Sequence, residues 1–227
     1  TGGGYWENIS SVPSRWTITY RDLVFNIKQM GFKHTGLFPE QASNWDFMID
    51  KISNSKRDIR ILNLFAYTGG ATLACMKAGA HVTHVDSSRG MVDWCKENVS
   101  SSKLDPTKVR YIVDDVIKFV QREIRRGNKY DAIIMDPPSY GRGANGEVWS
   151  LENNLSYLVK ICSEILSEEP LFFLINSYTT GISSTSLYNM LSIIMDKYNG
   201  NISHGEVGIK SKDGFILPCG IYCRWES

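Results

Sequence analysis

Residues 61–74 read "ILNLFAYTGGATLA", and the way this stretch folds decides the architecture of the chain. An apolar strand runs into a short turn holding Gly69 and Gly70, then into a helix of small residues. That order is how an α/β sheet opens a cofactor site. The glycine spacing is neither G-x-G-x-x-G nor that of a P-loop, and no lysine follows. A loop with so few glycines suits a ligand whose body nears backbone N–H groups but carries no phosphates.

Working outward, strand-like and helix-like patterns alternate from about residue 59 onward. "HVTHVD" reads as a second strand, followed by a helix "RGMVDWCKENV" with Met91, Cys95 and Val99 on one face. "KVRYIV" is a third strand. The helix "DVIKFVQREIRRG" carries Val116, Phe119, Val120 and Ile124 as its apolar stripe and Gly127 as its C-cap. "YDAIIM" is a fourth strand feeding the loop "DPPSYGRGANGE". Then come a helix over 151–166, the strand "LFFLIN", a helix over 184–197 and a closing strand pair near 202–209 and 220–225. Single helices between strands predict a doubly wound, mostly parallel Rossmann-like sheet in an α/β domain spanning 37–227. Residues 1–36, with strand-like "WTITY" and "LVFNIK", are expected to form an N-terminal β extension or the remnant of a preceding domain. Ligands of such sheets sit beyond the strands' carboxyl ends. The chemistry is therefore expected at residues 66–70, Asp86, Asp114, Asp115, 136–141 and 176–178.

The 227 residues are 42% hydrophobic and 22% charged, which describes an ordinary globular domain with room for a sizeable core. A net charge of +1 provides no global field for nucleic acid, so an RNA partner would have to be met by a local patch. The five cysteines are scattered with no C-x-x-C, which argues against a metal site and for reduced core thiols in the cytoplasm. No apolar run is of membrane-spanning length. The start, Thr1-Gly2-Gly3-Gly4, is no signal peptide, and the missing initiator methionine suggests a processed chain or part of a longer one.

A ligand combining adenosine with a zwitterionic tail, S-adenosylmethionine, fits the loop. Asp86 ends the second strand, where a carboxylate can accept from ribose hydroxyls; it can equally cap the helix after "SSRG". Asp114 or Asp115 can accept from an adenine amino group or simply cap the helix that follows. The most specific stretch is "IIMDPPSYG". Two prolines remove two donors and fix an extended shape, leaving carbonyls turned to the cleft beside Asp136. Asp136 and the Pro137 carbonyl can hold a planar amino-bearing group, with Tyr140 as a stacking surface.

Together, "NLFAYTGG", "THVDSSRGMVDWCKEN", "YIVDDVIKFVQREIRRGNKYDAIIMDPPSYGRG" and "GLFPEQ" resemble the class I S-adenosylmethionine-dependent methyltransferases, nearest the bacterial large-subunit ribosomal RNA branch. The resemblance implies a seven-stranded sheet with one antiparallel strand. It implies cofactor contacts at Gln41, Phe65, Ala66, Tyr67, Thr68, Gly69, Gly70, Asp86, Ser87, Asp114, Asp115, Val116 and Asp136. It places the substrate chemistry on Asp136, Pro137, Pro138 and Tyr140. Relatives that methylate cytosine C5 carry a cysteine after the fifth strand; here that position reads "LFFLINSYTTG", so a nitrogen acceptor on an RNA base is expected instead. A small-molecule or protein acceptor is the alternative, with a nicotinamide oxidoreductase or a non-catalytic subunit behind it. Two basic clusters (Arg122, Arg125, Arg126, Lys129 and Lys56, Arg57, Arg60) read as solvated charge more readily than as RNA contacts. The first is expected at the sheet end away from the cofactor, and Arg142 is better placed to meet a phosphate.

Overall fold

A computed structural model describes residues 5–31, 34–143 and 146–227. The expectations for residues 1–4 and for the 144–145 portion of the "DPPSYGRGANGE" loop lie outside the described residues. Seven strands form the central sheet: β3 (Arg60–Leu64), β4 (His81–Asp86), β5 (Val109–Val113), β6 (Ala132–Met135), β9 (Phe172–Ser177), β10 (Asn201–Lys210) and β11 (Ile216–Glu226). Their order is β10-β11-β9-β6-β3-β4-β5. Only β11 runs against the others, pairing antiparallel with both β9 and β10. The doubly wound sheet with one reversed strand is therefore as the sequence implies. The chain steps outward from β3 to β5, then returns to lay β6 beside β3. That reversal opens the crevice where ligands of such sheets bind.

The inner strands are apolar on both faces because both are covered. Leu62 and Leu64 turn into a core with Phe119, Leu155, Phe173 and Trp225. This side is covered by α4 (Val116–Arg126), α5 (Leu151–Ser163) and α6 (Ser184–Met195). Ile61 turns into the other core, with Phe25, Trp45, Met48, Leu73 and Cys95. That side carries α1 (Ala42–Asn54), α2 (Gly70–Lys77) and α3 (Arg89–Ser101). Helix α4 starts where Asp115 accepts from the Lys118 N–H at 2.9 Å. It ends at Gly127, whose φ of 68° is the left-handed C-cap that favours glycine.

Four features differ from the sequence reading. Helix α1, led by a 3-10 turn at Pro39–Gln41, was not expected; it buries Asn44, Trp45, Met48 and Ile52, a face interrupted by a polar residue. In α3 the buried residues are Val92, Trp94, Cys95, Asn98 and Val99, while Met91 is only half-buried, since the helix begins at Arg89 and turns Val92 inward. Helix α5 stops at Ser163, and Leu166 instead bridges to Tyr130. The loop after β6 contains a hairpin of β7 (Tyr140–Arg142) and β8 (Val148–Ser150), with Gly141 opposite Trp149.

The N-terminal hairpin, β1 (Trp16–Tyr20) and β2 (Leu23–Ile27), inserts Leu23, Phe25 and Ile27 into the core of α1 and α2. Each such burial contributes about 1.5–3 kcal/mol. Asn98, itself fully buried, joins hairpin to sheet. Its Oδ1 accepts from Asn26 N–H at 2.8 Å, and its Nδ2 donates to the Thr68 carbonyl at 2.9 Å. Replacing Asn98 by Leu strands these groups in the interior and should cost roughly 2–4 kcal/mol, measured by urea unfolding. Because Thr68 lies in the loop expected to border S-adenosylmethionine, S-adenosylhomocysteine affinity should fall in the same variant.

Candidate active site

The loop after β3 adopts a conformation that few side chains accept. Phe65 and Tyr67 have φ of 52° and 50°, and Gly69 of 91°. Left-handed backbone at two aromatic residues persists only where neighbours dictate it. Here the Ala66 N–H donates to Val85 O at 3.1 Å, the Tyr67 N–H to Asp86 Oδ2 at 2.9 Å, and Thr68 Oγ1 to Gly36 O at 2.6 Å. A Cβ at Gly69 would lie 2.3 Å from Cys95 Sγ, and one at Gly70 2.9 Å from the Trp45 ring. Both glycines are thus required by packing as well as by the turn.

Asp86 accepts from two backbone donors, Tyr67 N–H and Ser88 N–H at 2.8 Å. Burial raises its carboxyl above the usual range, and the two donors pull it back. Ser87 beside it is exposed. Asp115 caps α4, while Asp114 accepts the Asp115 N–H and pairs with Arg122. Arg122 is therefore drawn to the carboxyl end of β5, a correction to its expected place at the far end of the sheet. Val116 is buried beneath this rim. Elsewhere in the two clusters Arg126 meets Glu123 and Arg57 meets Asp131, while Lys129 donates to the Glu164 backbone carbonyl.

Across the crevice, Asp136 follows β6 and is half-buried; its Oδ1 is shut off from solvent and has no hydrogen-bond partner. Burial, reinforced by the negative charge of Glu40, pushes its carboxyl up to about 7. It lines a pocket with Phe38, Gln41, Phe65, Ala66 and Asn176. Glu40 and Gln41 come from the 3-10 turn and are themselves buried. Gln41 Nε2 donates to Tyr178 Oη at 2.6 Å, while Asn44 Nδ2 donates to Gln41 Oε1 at 2.8 Å and Asn176 Oδ1 at 2.9 Å. Phe38 packs between Tyr67 and Tyr178, at centroid distances of 5.4 and 5.6 Å. Sequence reasoning missed Phe38, Glu40 and Asn44. "GLFPEQASN" held their signal only through apolar and amide residues around a helix start that it did not identify.

The proline loop is tied at several points. Ser139 Oγ meets Thr179 Oγ1 at 2.7 Å, and the Leu151 N–H donates to Ser139 O at 3.0 Å. The Pro138 carbonyl, expected to turn freely to the cleft, instead accepts from Trp149 Nε1 at 2.7 Å, because β8 folds back over it. Pro137 remains next to Asp136. Tyr140 stands on β7, 57% exposed.

A carboxylate fixed by two amides, an aromatic wall and a two-glycine turn fit a ligand with ribose hydroxyls but no phosphate, and Asp136 leaves a free oxygen in the same pocket for a further N–H group. S-adenosylmethionine is such a ligand. No cluster suited to a metal ion occurs among the described residues. None of the described helices is long and apolar enough to cross a membrane.

Residues 5–181 match the sequence family described as S-adenosylmethionine-dependent methyltransferase. The ribosomal RNA large subunit methyltransferase I of Enterobacter sp. (strain 638) is 40% identical over 85 residues, 37% of this chain and 22% of that protein. The match thus spans about a fifth of that relative's length. The crystal structure of the SAM-dependent methyltransferase from Agrobacterium tumefaciens superposes with a TM-score of 0.94 at 36% identity, covering 99% of this chain and 74% of that one. The magnesium protoporphyrin IX methyltransferase of Synechocystis PCC 6803, solved with bound SAM, shares the fold (TM-score 0.57, 12% identity, 83% of this chain and 81% of that one).

The free protein should show the cost of Asp136. With a folded-state pKa near 7 and an ordinary unfolded one, the folded protein binds the extra proton between about pH 4 and 7. Stability contributed by this group is full below that window and lost as pH rises through it. Asp136→Asn should therefore stabilise the ligand-free protein above pH 7, by up to roughly 4 kcal/mol, with no gain below pH 4. Urea unfolding of both proteins across that range checks it.

Proposed function

Because this chain belongs to the S-adenosylmethionine-dependent methyltransferase family, we propose that it methylates a base of RNA, ribosomal RNA foremost, at a nitrogen atom. One observation carries the reading: Asp136 at the crevice has a buried, unpartnered oxygen, and burial with the nearby Glu40 charge pushes its carboxyl up to about 7. When bound, S-adenosylmethionine supplies an electrophilic methyl group on a sulfonium. Asp86 would hold the ribose hydroxyls, and the backbone of residues 65–70 with Gln41 would border the rest. Asp115 at the rim of β5 would face the adenine. The acceptor base would leave its stack to enter the pocket. There Asp136 and the Pro137 carbonyl would accept its N–H groups and hold it in line. As the nitrogen–methyl bond formed, the methyl–sulfur bond would break with its electron pair kept by sulfur as a neutral thioether, and the nitrogen's proton would pass to Asp136, whose pKa near operating pH suits that task.

The thiols support nitrogen over C5. Four cysteines, Cys75, Cys95, Cys162 and Cys223, are buried. Cys219 is half-buried, bonded to Leu217 O at 3.4 Å, and raised above its ordinary value by burial and by Glu40. A nucleophilic thiolate needs the opposite surroundings. The RNA half of the reading leans on the ribosomal RNA methyltransferases that share the matched 85 residues.

Labelled methyl transfer to unmodified ribosomal RNA, with nucleosides identified by mass spectrometry, tests both halves. An N-methylated base is expected. A 5-methylcytosine product would overturn the nitrogen assignment, and no transfer to RNA would overturn the substrate. Asp136→Asn should reduce turnover by about a hundred-fold or more while S-adenosylhomocysteine affinity changes little.

A further inference from the structure

Strand β11 outruns its neighbour. Its pairing with β9 begins at Ile221, opposite Ser177, so residues 216–220 continue past the carboxyl end of the sheet supported by β10 alone. Five residues at strand rise make an arm of about 17 Å. The register shifts between Val207 and Gly208, where the arm leaves the sheet; bulges of this kind re-aim a strand beside a site. The arm is rooted at the pocket. A Cβ at Gly220 would lie 2.9 Å from the Tyr178 ring, and β10 packs on the turn that bears Glu40 and Gln41.

Beyond its root the arm is bare. Successive strand residues point to opposite faces, yet Ile216 and Leu217 are 64% and 63% exposed, so neither face is covered. Phe215 at the turn is 77% exposed. Lys210 and Lys212 stand among these residues, exposed and without an ion pair among the described residues. Asp213 is the acid of the turn. On the other side of Asp136 along the sheet, β7 and β8 are held over the end of β3 by the contact of Trp149 with Phe65. That hairpin presents Tyr140 and the exposed Arg142, which has no ion pair among the described residues. Along the sheet Asp136 thus lies between two projections, each bearing an exposed aromatic ring and a cation without an ion pair among the described residues.

We propose that the β10–β11 arm, facing the β7–β8 hairpin, is the track on which a single-stranded nucleic acid lies as its acceptor base enters the Asp136 pocket. This rests on the RNA reading above. Interleaved rings and cations are what a strand offering stackable bases and phosphates requires. The Phe215 and Tyr140 rings would receive bases flanking the acceptor, and Lys210, Lys212 and Arg142 their phosphates.

The test uses the full chain, a fluorescent oligouridylate read by anisotropy, S-adenosylhomocysteine calorimetry, light scattering, and methyl transfer to ribosomal RNA. The double variant Lys210→Glu/Lys212→Glu should bind the oligonucleotide about ten-fold more weakly, with the salt slope reduced by about two. Phe215→Ser should weaken binding about five-fold or more. Both should bind S-adenosylhomocysteine as the parent does, which establishes that they are folded, and both should raise KM for RNA. RNA methylation and oligonucleotide binding undiminished in both variants would overturn the track and leave the proposed function standing. Dissociation of a dimer by Phe215→Ser, with RNA binding unchanged, would instead make the arm a subunit interface. Transfer by the parent protein to a non-RNA acceptor alone would overturn both proposals.

Discussion

The site depends on how the chain leaves β3. Within five residues it passes through the left-handed region at Phe65, Tyr67 and Gly69, a path that side chains of ordinary size resist. The resistance is overcome from three directions: Asp86 takes the Tyr67 N–H, Asn98 donates to the Thr68 carbonyl, and Cys95 fills the space that a side chain at residue 69 would need. Asp86 comes from β4, and the other two from α3. The loop is therefore shaped by elements that follow it in sequence, and the carboxylate suited to ribose hydroxyls is the same one that holds the loop open.

This arrangement explains why polar residues are buried around the crevice with little waste. Gln41, Asn44, Asn176 and Tyr178 satisfy one another, and Asn63 satisfies Thr72, which meets His84. Buried polar networks rigidify a site when every member is paired. Two atoms stand out against that background: His84 Nε2 at the end of the second network, and Asp136 Oδ1 in the pocket itself, are buried without a hydrogen-bond partner. A buried carboxyl without a donor is unfavourable in the free protein, and a ligand that supplies an N–H relieves it.

The sequence was most informative where local chemistry and fold agree. Apolar runs, the two-glycine turn, Asp115 as a cap and Gly127 as a terminator each act within a few residues, so the strand and helix succession could be read directly. Helix α1 could not: its buried face includes Asn44, whose partners lie 132 residues away on Asn176 and in the preceding turn. Nor could the pairing of Gln41 with Tyr178, 137 residues apart, or the presence of Glu40 beside Asp136. The β7–β8 hairpin is three residues per strand in a glycine-rich stretch, too short for alternation to show. The Trp149 bond that occupies the Pro138 carbonyl depends on that hairpin. Charge ran the other way. The basic clusters read as solvated charge, but Arg57, Arg122 and Arg126 neutralise acids of the same domain.

The reversal of a single strand, β11, has a consequence for how such a protein can diversify. Of the parallel strands, β3, β4, β6 and β9 have neighbours on both sides and β5 is followed by α4, so a change in length there would displace the crevice. The β10–β11 turn lies outside that constraint. Residues can be gained or lost between Ser211 and Gly214 without moving β9, β6 or β3, since the hairpin absorbs the change beyond the last shared pair. The shape of the crevice and the length of this hairpin are thus mechanically separable: the inner strands hold the one while the free end of the hairpin can vary the other.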